Sequence, residues 1–292
     1  MPEMPEVQGL VDFLAARTSG RRISVARLAS IQALKTFQPP LEDLLGATVT
    51  RAARHGKWLD LVVHPMSDDG AVHLVFHLAR AGWLRWYEQL PKTQVRPGRS
   101  PIALRIGFDD GSGFDLTEAG TKKKLAVYLV TDPADVPMVA TLGPDPLDES
   151  FTADVLGEIV GSRRTQLKGV LRNQSVIAGI GNAYSDEILH AAKMSPFAIS
   201  ATLSAAEVAR LHTSIQAVLT AAVEGASGRP AAELKDAKRA GMAVHGRTGE
   251  KCPVCDDTVA EVSFADSSLQ YCPTCQTGGK VLADRRLSRL LR

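Results

Sequence analysis

The feature that most constrains this chain is a group of four cysteines near its C-terminal end. They form two Cys-x2-Cys pairs separated by sixteen residues, namely Cys252-Pro-Val-Cys255 and Cys272-Pro-Thr-Cys275. This spacing is typical of a zinc ribbon, in which two knuckles supply four thiolates to one tetrahedral ion. The alternative is a pair of disulfides or free thiols, which a cytosolic chain does not favour. Because four thiolates fill the coordination shell, the spacing predicts one structural zinc ion rather than a catalytic one.

A cytosolic location is predicted from the rest of the chain. Its start, MPEMPEV, lacks the basic and apolar segments of a signal peptide. No apolar run approaches the roughly 20 residues needed to span a bilayer. The net charge of +2 is too small to indicate nucleic-acid binding by itself. Basic residues do cluster at Lys122–Lys124 and in the last thirteen residues, but each run alone is more typical of a solvated face.

Hydrophobic periodicity predicts a β-rich first half that follows one helix. Val7, Leu10, Val11 and Leu14 fall on one face of that helix, whose first turn tolerates Pro5. From about residue 47 to 130, the pattern changes to short strand-like runs separated by glycine and aspartate clusters. The clearest of these runs are Trp58–Val63, Ala71–Phe76, Ile102–Phe108 and Leu125–Val130.

The second half of the chain is predicted to be helical. Proline and aspartate crowd residues 131–150, which read as a linker. Ser204-Ala-Ala-Glu207 is a capping box that opens a long helix, and Ser227-Gly-Arg-Pro230 ends it. Two helical pieces flank Gly179-Ile-Gly-Asn182, where Asn182 is predicted to cap the second helix and leave its N–H groups for an anion. Residues 259–271 suit a β-hairpin within the zinc ribbon.

The second residue is the main chemical clue. If Met1 is removed, Pro2 presents a secondary amine, and the reference pKa of an α-amino group, near 8, leaves a useful fraction neutral and nucleophilic. Such an amine forms a Schiff base with an aldehyde-like carbon. The carboxylates of Glu3 and Glu6 stand beside it for general acid and base work. Taken alone, however, this segment is more commonly just the start of a helix.

Six segments, in order over nearly the whole chain, resemble the formamidopyrimidine-DNA glycosylase / endonuclease VIII family. They are MPEMPEV, RHGKWLDL, FHLARAG, TLGPDPL, LKGVLRNQSVIAGIGNAYSDEILHAAKMSP and VHGRTGEKC. Each is weak alone, but their order together with a proline at position 2 is specific. The resemblance implies an α+β multidomain fold. An N-terminal β-sandwich with a leading helix precedes a helical helix-two-turn-helix domain and a C-terminal zinc-ribbon finger, and DNA crosses the cleft.

The resemblance also sets the predicted domain boundaries. We expect a catalytic sandwich domain over 2–133, a linker over 134–150, a helix-two-turn-helix domain over 151–245, a zinc finger over 246–276 and a basic tail over 277–292. In the tail, Leu282 and three later leucines alternate with arginines, as in a short amphipathic helix. The protein is expected to be a cytoplasmic monomer that associates with the nucleoid through DNA.

The resemblance implies a DNA repair glycosylase that is also an abasic-site lyase. Pro2 would attack C1′ of a damaged nucleotide flipped out of the duplex, since the chemistry cannot reach it inside the stack. Glu3 would protonate the sugar, Glu6 would support the geometry, and β,δ-elimination from the Schiff base would cut the strand. The partner would be double-stranded DNA with damaged bases or abasic sites.

The resemblance further implies which residues hold that DNA. Lys57, which we group with the catalytic residues, matches a position that grips phosphate, and so do His77 and Asn182. Lys168, in the helix-two-turn-helix segment, and Arg80, within the FHLARAG segment, complete the predicted DNA contacts. Phosphate contacts fix register without reading sequence, as a repair enzyme requires.

Three departures from the family pattern bear on the lesion. Ser267 stands where family members usually carry a phosphate-gripping arginine, for which Arg247 or the basic tail is a candidate substitute. Arg80 stands where the family has a methionine wedge, and the residues that complete the wedge have no clear match in 117–125. The segment 234–244 is too short for the loop that caps 8-oxoguanine. We therefore expect oxidised pyrimidines, ring-opened purines or abasic sites as substrates.

Two other functions compete with this reading. The first is a protein of the same fold that binds damaged DNA without cutting it, because Ser267 and Arg80 weaken the usual lesion-sensing apparatus. Intact Pro2 and Glu3 argue against it, since a binding protein has no need of a terminal secondary amine. The second is a zinc-ribbon transcription or translation factor, which explains the cysteines but neither the N-terminus nor the helix-two-turn-helix segment.

Overall fold

The computed structural model describes residues 1–66, 70–95, 100–119, 122–265 and 267–283. The chain forms two compact units. The first comprises Met1–Thr141 and Ala226–Lys235, and the second comprises Leu142–Gly225 and Asp236–Arg292. Most of the predicted amphipathic tail helix lies outside the described residues.

The first unit opens with helix α1 (Met4–Thr18). Pro5 lies in its first turn, where a backbone N–H has no partner within the helix and its loss therefore costs little. Val7, Leu10, Val11 and Leu14 are all at most 5% exposed and belong to the core of this unit. The helix predicted from their spacing is confirmed.

Among the described residues of this unit, eight strands follow and form two antiparallel four-stranded sheets. They are β1 (Ile23–Leu28), β2 (Thr48–His55), β3 (Trp58–His64), β4 (Val72–His77), β5 (Gly82–Tyr87), β6 (Ile102–Phe108), β7 (Gly113–Glu118) and β8 (Ala126–Val130). The strand order is β1-β6-β7-β5 in one sheet and β2-β3-β4-β8 in the other. Side chains of both sheets share one core, in which the rings of Phe76 and Phe114 lie 6.3 Å apart. The predicted β-sandwich with a leading helix is therefore confirmed.

Strand β3 shows why the sandwich forms. Its alternate residues Leu59, Leu61 and Val63 point into the shared core, as the two-residue period of a strand requires. Trp58 and Asp60 lie on the opposite face of the sheet. That face is also covered, because Val136 and Val139 pack with Trp58 there.

This covering comes from the predicted linker. A 3₁₀ turn (Pro133–Asp135) and the short helix α2 (Pro137–Ala140) occupy its first part. The composition of residues 131–150 predicts a loop, but the valines within it are apolar enough to pack on the sandwich.

The segment Ala226–Lys235 also belongs to the first unit, whereas the sequence placed it in the helical domain. Ala226, Ala231 and Leu234 join the sandwich core. Trp83 donates its indole N–H to the carbonyl oxygen of Ala231 at 3.1 Å. Gly9 of α1 allows this close packing, because a Cβ on it would lie 3.0 Å from the side chain of Leu234.

The second unit is helical and ends in a small finger. Its helices are α3 (Ala153–Gly161), α4 (Leu167–Arg172), α5 (Asn182–Ala191), α6 (Ala205–Ala226), which ends at the boundary between the units, and α7 (Leu234–Ala240), which begins in the first unit. As predicted, Ser204 and Glu207 form the capping box that opens α6. The finger contains the predicted hairpin of β9 (Ala260–Ser263) and β10 (Ser268–Tyr271), and then α8 (Pro273–Thr277).

No helix within the described residues is both long and apolar enough to cross a membrane.

The turn between β4 and β5 supplies a test of the fold. Gly82 donates its N–H to the carbonyl oxygen of Leu78 at 2.9 Å, and a Cβ on Gly82 would overlap that oxygen. We expect Gly82→Ala to lower the free energy of unfolding by about 2 kcal/mol, as overpacking does. The measurement is denaturant unfolding followed by circular dichroism.

The matched control is Gly169→Ala in α4, where an added Cβ would meet nothing within 4 Å. Alanine favours a helix over glycine by about 1 kcal/mol, so this variant should be as stable as the wild type or more so. Equal stability of Gly82→Ala and the wild type would mean that the turn is not closed in this way.

Candidate functional site

The N-terminal segment buries two carboxyl groups beside Pro2. Pro2 is buried, and Glu3 and Glu6 are each only 3% exposed. The backbone N–H of Glu3 donates to the Glu6 carboxylate at 2.9 Å, so Glu6 closes the first turn of α1 as one half of a capping box. Both acidic residues thus lie at the N-terminal end of a 15-residue helix.

This arrangement can support amine chemistry once the amine exists. With Met1 in place, the Pro2 nitrogen belongs to a peptide bond and is not a nucleophile. Removal of Met1 would leave a secondary amine next to a buried carboxylate. A neutral amine of this kind attacks electrophilic carbon, and the carboxylate can transfer protons.

His77 ends strand β4 as a neutral imidazole. Burial, together with the positive charge of nearby Lys57, lowers the pKa of His77 to about 4. The backbone N–H of Ala79 donates to His77 Nδ1 at 3.1 Å, so the proton of the neutral ring lies on Nε2. Trp58 fixes the plane of this ring, with a centroid separation of 4.9 Å. His77 therefore presents an N–H donor beside a buried lysine, which is a pair suited to an anion.

Arg80 lies in the tight turn that follows His77. Its neighbour Ala79 has a φ of 51°, which is in the left-handed region that favours glycine. The hydrogen bond from Gly82 to Leu78 closes the turn. The Arg80 side chain is exposed, as a residue that contacts DNA must be. Its predicted DNA contact stays a prediction.

Lys168 of α4 lies in an internal network. Its ammonium is buried, forms an ion pair with Asp186, and donates to Ser185 Oγ at 2.8 Å and to the Asn182 carbonyl oxygen at 3.1 Å. Asp186 also accepts a hydrogen bond from His245 Nδ1 at 2.8 Å. The structure therefore uses Lys168 to connect two helices. Its predicted contact with DNA stays a prediction.

Asn182 does not cap α5 as the sequence suggested. The N-cap is Gly181, and the Asn182 amide instead donates to the carbonyl oxygen of Ser268 at 2.8 Å. The extended backbone of Gly181 begins the helix one residue earlier than expected, which turns the Asn182 side chain toward the finger. Its Oδ1 is buried without a hydrogen-bond partner among the described residues. The predicted phosphate contact of Asn182 stays a prediction.

The four cysteine sulfurs form a compact metal site. All four lie within 4.8 Å of one another. The Cys255 sulfur is 3.4 Å from that of Cys272 and 3.4 Å from that of Cys275, and the Cys252 and Cys275 sulfurs are 3.9 Å apart. A tetrahedral zinc with bonds of about 2.3 Å separates its sulfurs by about 3.8 Å, whereas a disulfide bond measures about 2.05 Å. The residues therefore fit one structural zinc ion and not a disulfide.

Zinc binding at this site would displace thiol protons. Burial raises the pKa of the Cys272 thiol to about 11. A thiol of this kind stays protonated at neutral pH unless a metal ion displaces the proton, as zinc does on binding.

Three buried polar residues on α5 that contact the finger or the residues leading into it escaped the sequence analysis, namely Asp186, Glu187 and His190. Glu187 accepts hydrogen bonds from three consecutive backbone N–H groups that precede the finger, those of Ala243, Val244 and His245, at 2.7–2.9 Å. His190 Nε2 lies 3.2 Å from the Cys252 sulfur. The available signal was an adjacent pair of acidic residues directly before the apolar Ile188 and Leu189, since buried acids require partners.

The structure describes both Ser267 and Arg247, the residue that could replace the arginine missing at the hairpin tip. Ser267 directly precedes β10, and its carbonyl oxygen accepts the N–H of Phe264 at 2.8 Å, so it stands at the tip as expected. Arg247 is already paired with Glu250 at 2.8 Å and also donates to the Met242 carbonyl oxygen. This ion pair is exposed and therefore weak, so the role of Arg247 as the substitute stays a prediction.

Three family models match this chain. The model of the formamidopyrimidine-DNA glycosylase N-terminal domain matches residues 1–122, and that of the formamidopyrimidine-DNA glycosylase H2TH domain matches 142–232. The model of a zinc finger found in Fpg and isoleucyl-tRNA synthetase matches 249–278. With the geometry of the cysteines, the last match confirms the prediction of one structural zinc.

The chain is similar to curated proteins along its length. It is 34% identical to the formamidopyrimidine-DNA glycosylase of Symbiobacterium thermophilum over 98% of this chain and 93% of that protein. It is 58% identical over 159 residues to an uncharacterized formamidopyrimidine-DNA glycosylase-like protein of Mycobacterium tuberculosis, which covers 54% of this chain and 99% of that protein.

Solved structures of similar fold contain DNA. One is a complex between the Lactococcus lactis Fpg and DNA with an abasic site, which matches with a TM-score of 0.81 and 26% identity over 94% of this chain and 99% of that chain. Another is the wild-type L. lactis protein with DNA containing N7-benzyl-Fapy-dG, with a TM-score of 0.82, 26% identity and coverage of 94% and 100%. The fold and the resemblance predicted from the sequence are confirmed.

The unusual state of His77 can be measured directly. We expect its imidazole to stay neutral until the pH falls to about 4. Lys57→Gln should raise the pKa of His77 but leave it below 6.5, because burial is the larger cause and remains. The measurement is an NMR titration of the ring protons, with His77→Gln to assign the signal.

The same shift predicts a pH dependence of stability. The unfolded chain protonates this histidine below about 6.5, whereas the folded protein does so only near pH 4. The free energy of unfolding should therefore fall as the pH is lowered from 6.5 to 4, and His77→Gln should remove part of this fall. A midpoint of the His77 titration near 6.5 would contradict both expectations.

The metal site predicts one zinc ion per chain, measurable by atomic absorption. Cys272→Ser, or treatment with EDTA, should remove the ion and lower the melting temperature, because metal binding contributes to folding free energy. Val254→Ala is the matched control, since Val254 lies in the first knuckle, is 61% exposed and offers no ligand. A purified chain without zinc, or a Cys272→Ser protein that retains it, would overturn the assignment.

Proposed function

This chain belongs to the formamidopyrimidine-DNA glycosylase family, and we propose that it removes damaged bases from DNA and cuts the strand at the resulting abasic site. The observation that carries the proposal is the burial of Glu3 and Glu6 beside Pro2 at the start of α1. The capping box at the start of α1 holds both carboxylates in place, and Glu3 is the residue directly after Pro2. A buried carboxyl group is thus fixed next to the amine that removal of Met1 would create.

The proposed reaction begins when Met1 has been removed. The lone pair of the Pro2 nitrogen attacks C1′ of the flipped nucleotide, and the damaged base leaves with the electrons of its bond to C1′ and takes up the proton that the Pro2 nitrogen loses. Glu3 donates a proton to the ring oxygen as the sugar opens, which leaves an iminium ion between Pro2 and C1′. Glu6, bonded to the Glu3 backbone at 2.9 Å, holds the first turn in place.

Strand cleavage follows from the iminium ion. It withdraws electrons and makes the C2′ proton acidic, so loss of that proton expels the 3′ phosphate. A second elimination expels the 5′ phosphate, and water then hydrolyses the remaining Schiff base and restores the amine of Pro2. The steps are a substitution at C1′, two eliminations and a hydrolysis, none of which needs an oxidant or a reductant.

The DNA is proposed to be held through its phosphates. The neutral His77 offers a donor at Nε2, and Lys57 beside it offers a positive charge. Arg80, Lys168 and Asn182 are proposed as further contacts. A neutral donor suits a phosphate over the whole physiological range of pH, because it does not depend on protonation near pH 7.

The proposed lesions are oxidised pyrimidines, ring-opened purines and abasic sites rather than 8-oxoguanine. Helix α7 occupies Leu234–Ala240, and Met242 and Val244 are buried directly after it. This segment therefore leaves no long loop to close over an oxidised purine. Arg80 at the turn and Ser267 at the hairpin tip also support this choice of lesions, since both change the surface that would sense the lesion.

The alternative function is that of a protein which binds damaged DNA without cutting it. The observation that favours it is Ser267, because a serine hydroxyl at the hairpin tip cannot supply the charge of an arginine, and Arg247 is paired elsewhere. The proline at position 2 argues for the enzyme, since a protein that only binds DNA has no need of a terminal secondary amine.

Borohydride trapping on an abasic-site duplex tests the proposal. The full chain is produced with a removable N-terminal tag that leaves Pro2 as the first residue after cleavage. We expect a covalent protein–DNA band only after cleavage, because only then is the Pro2 nitrogen an amine. Glu3→Gln should slow base excision on the order of 10²–10⁴-fold, the usual contribution of a general acid or base.

Two controls make the result decisive. Glu42→Gln removes an exposed carboxylate in the same unit and should leave excision unchanged. A band of equal strength with the tag attached would show that another residue is the nucleophile. No band, with tight binding to the abasic duplex, would favour the damage-binding protein instead.

A further inference from the structure

Helix α5 is bonded to the finger along its whole length. At its first residue, Asn182 donates to the backbone of β10 at 2.8 Å. In its middle, Asp186 and Glu187 hold the residues that lead into the finger. Just beyond its end, the Gln276 amide of α8 donates to the carbonyl oxygen of Met194 at 2.9 Å. The finger therefore packs against α5 through hydrogen bonds and is not a separate module.

His190, near the end of α5, makes the contact closest to the metal site. Its Nε2 lies 3.2 Å from the Sγ of Cys252, within the distance of a hydrogen bond to sulfur. His190 is 5% exposed and Cys252 is fully buried, so water does not compete at this contact. Cys252 is 62 positions away in sequence, and nothing in the Cys-x2-Cys spacing points to this residue.

We propose that His190 is a positioning residue of the zinc site, which donates its Nε2–H to the metal-bound thiolate of Cys252. Four thiolates around one Zn²⁺ leave a net charge of two negative units, and burial makes that charge unfavourable unless N–H groups donate to the sulfurs. A ring nitrogen supplies such a donor from a rigid helix. It also holds the first knuckle against α5.

The proposal extends beyond DNA cleavage, since it concerns how the chain retains its metal. His190 and Asn182 belong to the same helix, at opposite ends of α5. A contact at one end that holds the finger therefore also fixes the orientation of the end that faces β10. Loss of the metal should loosen both contacts together, and loss of the His190 donor should make the metal easier to remove.

Zinc release tests this with a matched pair of variants. His190→Phe removes the donor and keeps a planar ring, whereas His190→Gln keeps an N–H donor. The control is His212→Phe, because His212 also uses Nε2 in a hydrogen bond, but to the carbonyl oxygen of Phe151 at 2.7 Å. With a chelating dye as the acceptor, His190→Phe should release zinc about 10- to 100-fold faster, the usual effect of losing a partner of a metal ligand.

A spectroscopic measurement separates positioning from simple packing. In the cobalt-substituted protein, a hydrogen bond to a thiolate stabilises its lone pairs and raises the energy of the sulfur-to-cobalt charge-transfer band. His190→Phe should shift this band to longer wavelength, and His190→Gln should restore it at least in part. His212→Phe should leave it unchanged.

The wild-type protein provides a check that no folding defect can affect. In the ¹¹³Cd-substituted chain, a proton held between His190 Nε2 and the Cys252 sulfur should show scalar coupling to the metal. Absence of that coupling would overturn the proposal. So would a His190→Phe protein whose zinc release and cobalt spectrum match those of the wild type.

Discussion

The buried carboxylates of Asp186 and Glu187 constrain the second unit more than any other interaction. A carboxylate removed from water must be matched by donors, and removing a partner of a buried charge costs roughly 3–5 kcal/mol. Asp186 pairs with Lys168 and His245. Glu187 accepts hydrogen bonds from three backbone N–H groups that precede the finger. These requirements bring α4, α5 and the start of the finger together, and the metal site is built on that frame. The same logic governs the N-terminus, where Glu6 is satisfied by the backbone of Glu3.

Much of this fold could be predicted from local patterns. The apolar face of α1, the capping box of Ser204, the strand-like runs of β3, β4, β6 and β8 and the finger hairpin all follow from periods and caps that a few residues define. Strand β7 could not be predicted in this way, because Asp115 interrupts its apolar pattern. That charge is tolerated only because Arg105 of β6 pairs with it in two hydrogen bonds of 2.7 and 2.8 Å. A long-range partner of this kind leaves no local trace.

The residues of the candidate site likewise fall into those that local sequence predicts and those that depend on tertiary contacts. The cysteines and the Pro2–Glu3 start were visible because their chemistry is carried by spacing or by position in the chain. The neutral state of His77 was not, because it arises from burial and from the charge of Lys57 some twenty positions earlier. Nor was His190, since its role depends on a helix packing against a finger sixty-two positions later. The start of α5 was predicted one residue too late. Asn182 is a good N-cap in isolation, but in the structure its side chain donates to the carbonyl oxygen of Ser268 instead.

The path of the chain between the units has a consequence for synthesis. The sandwich core is built mainly from residues before position 141, yet it also contains Ala226, Ala231 and Leu234. The first unit is therefore still missing part of its interior when the last of its eight strands leaves the ribosome. The part of the core that packs against α1 stays incomplete until roughly ninety further residues, which are most of the second unit, have been translated. Folding of the N-terminal unit thus reaches completion late, and a chain truncated before residue 226 would leave the part of α1 around Gly9 uncovered.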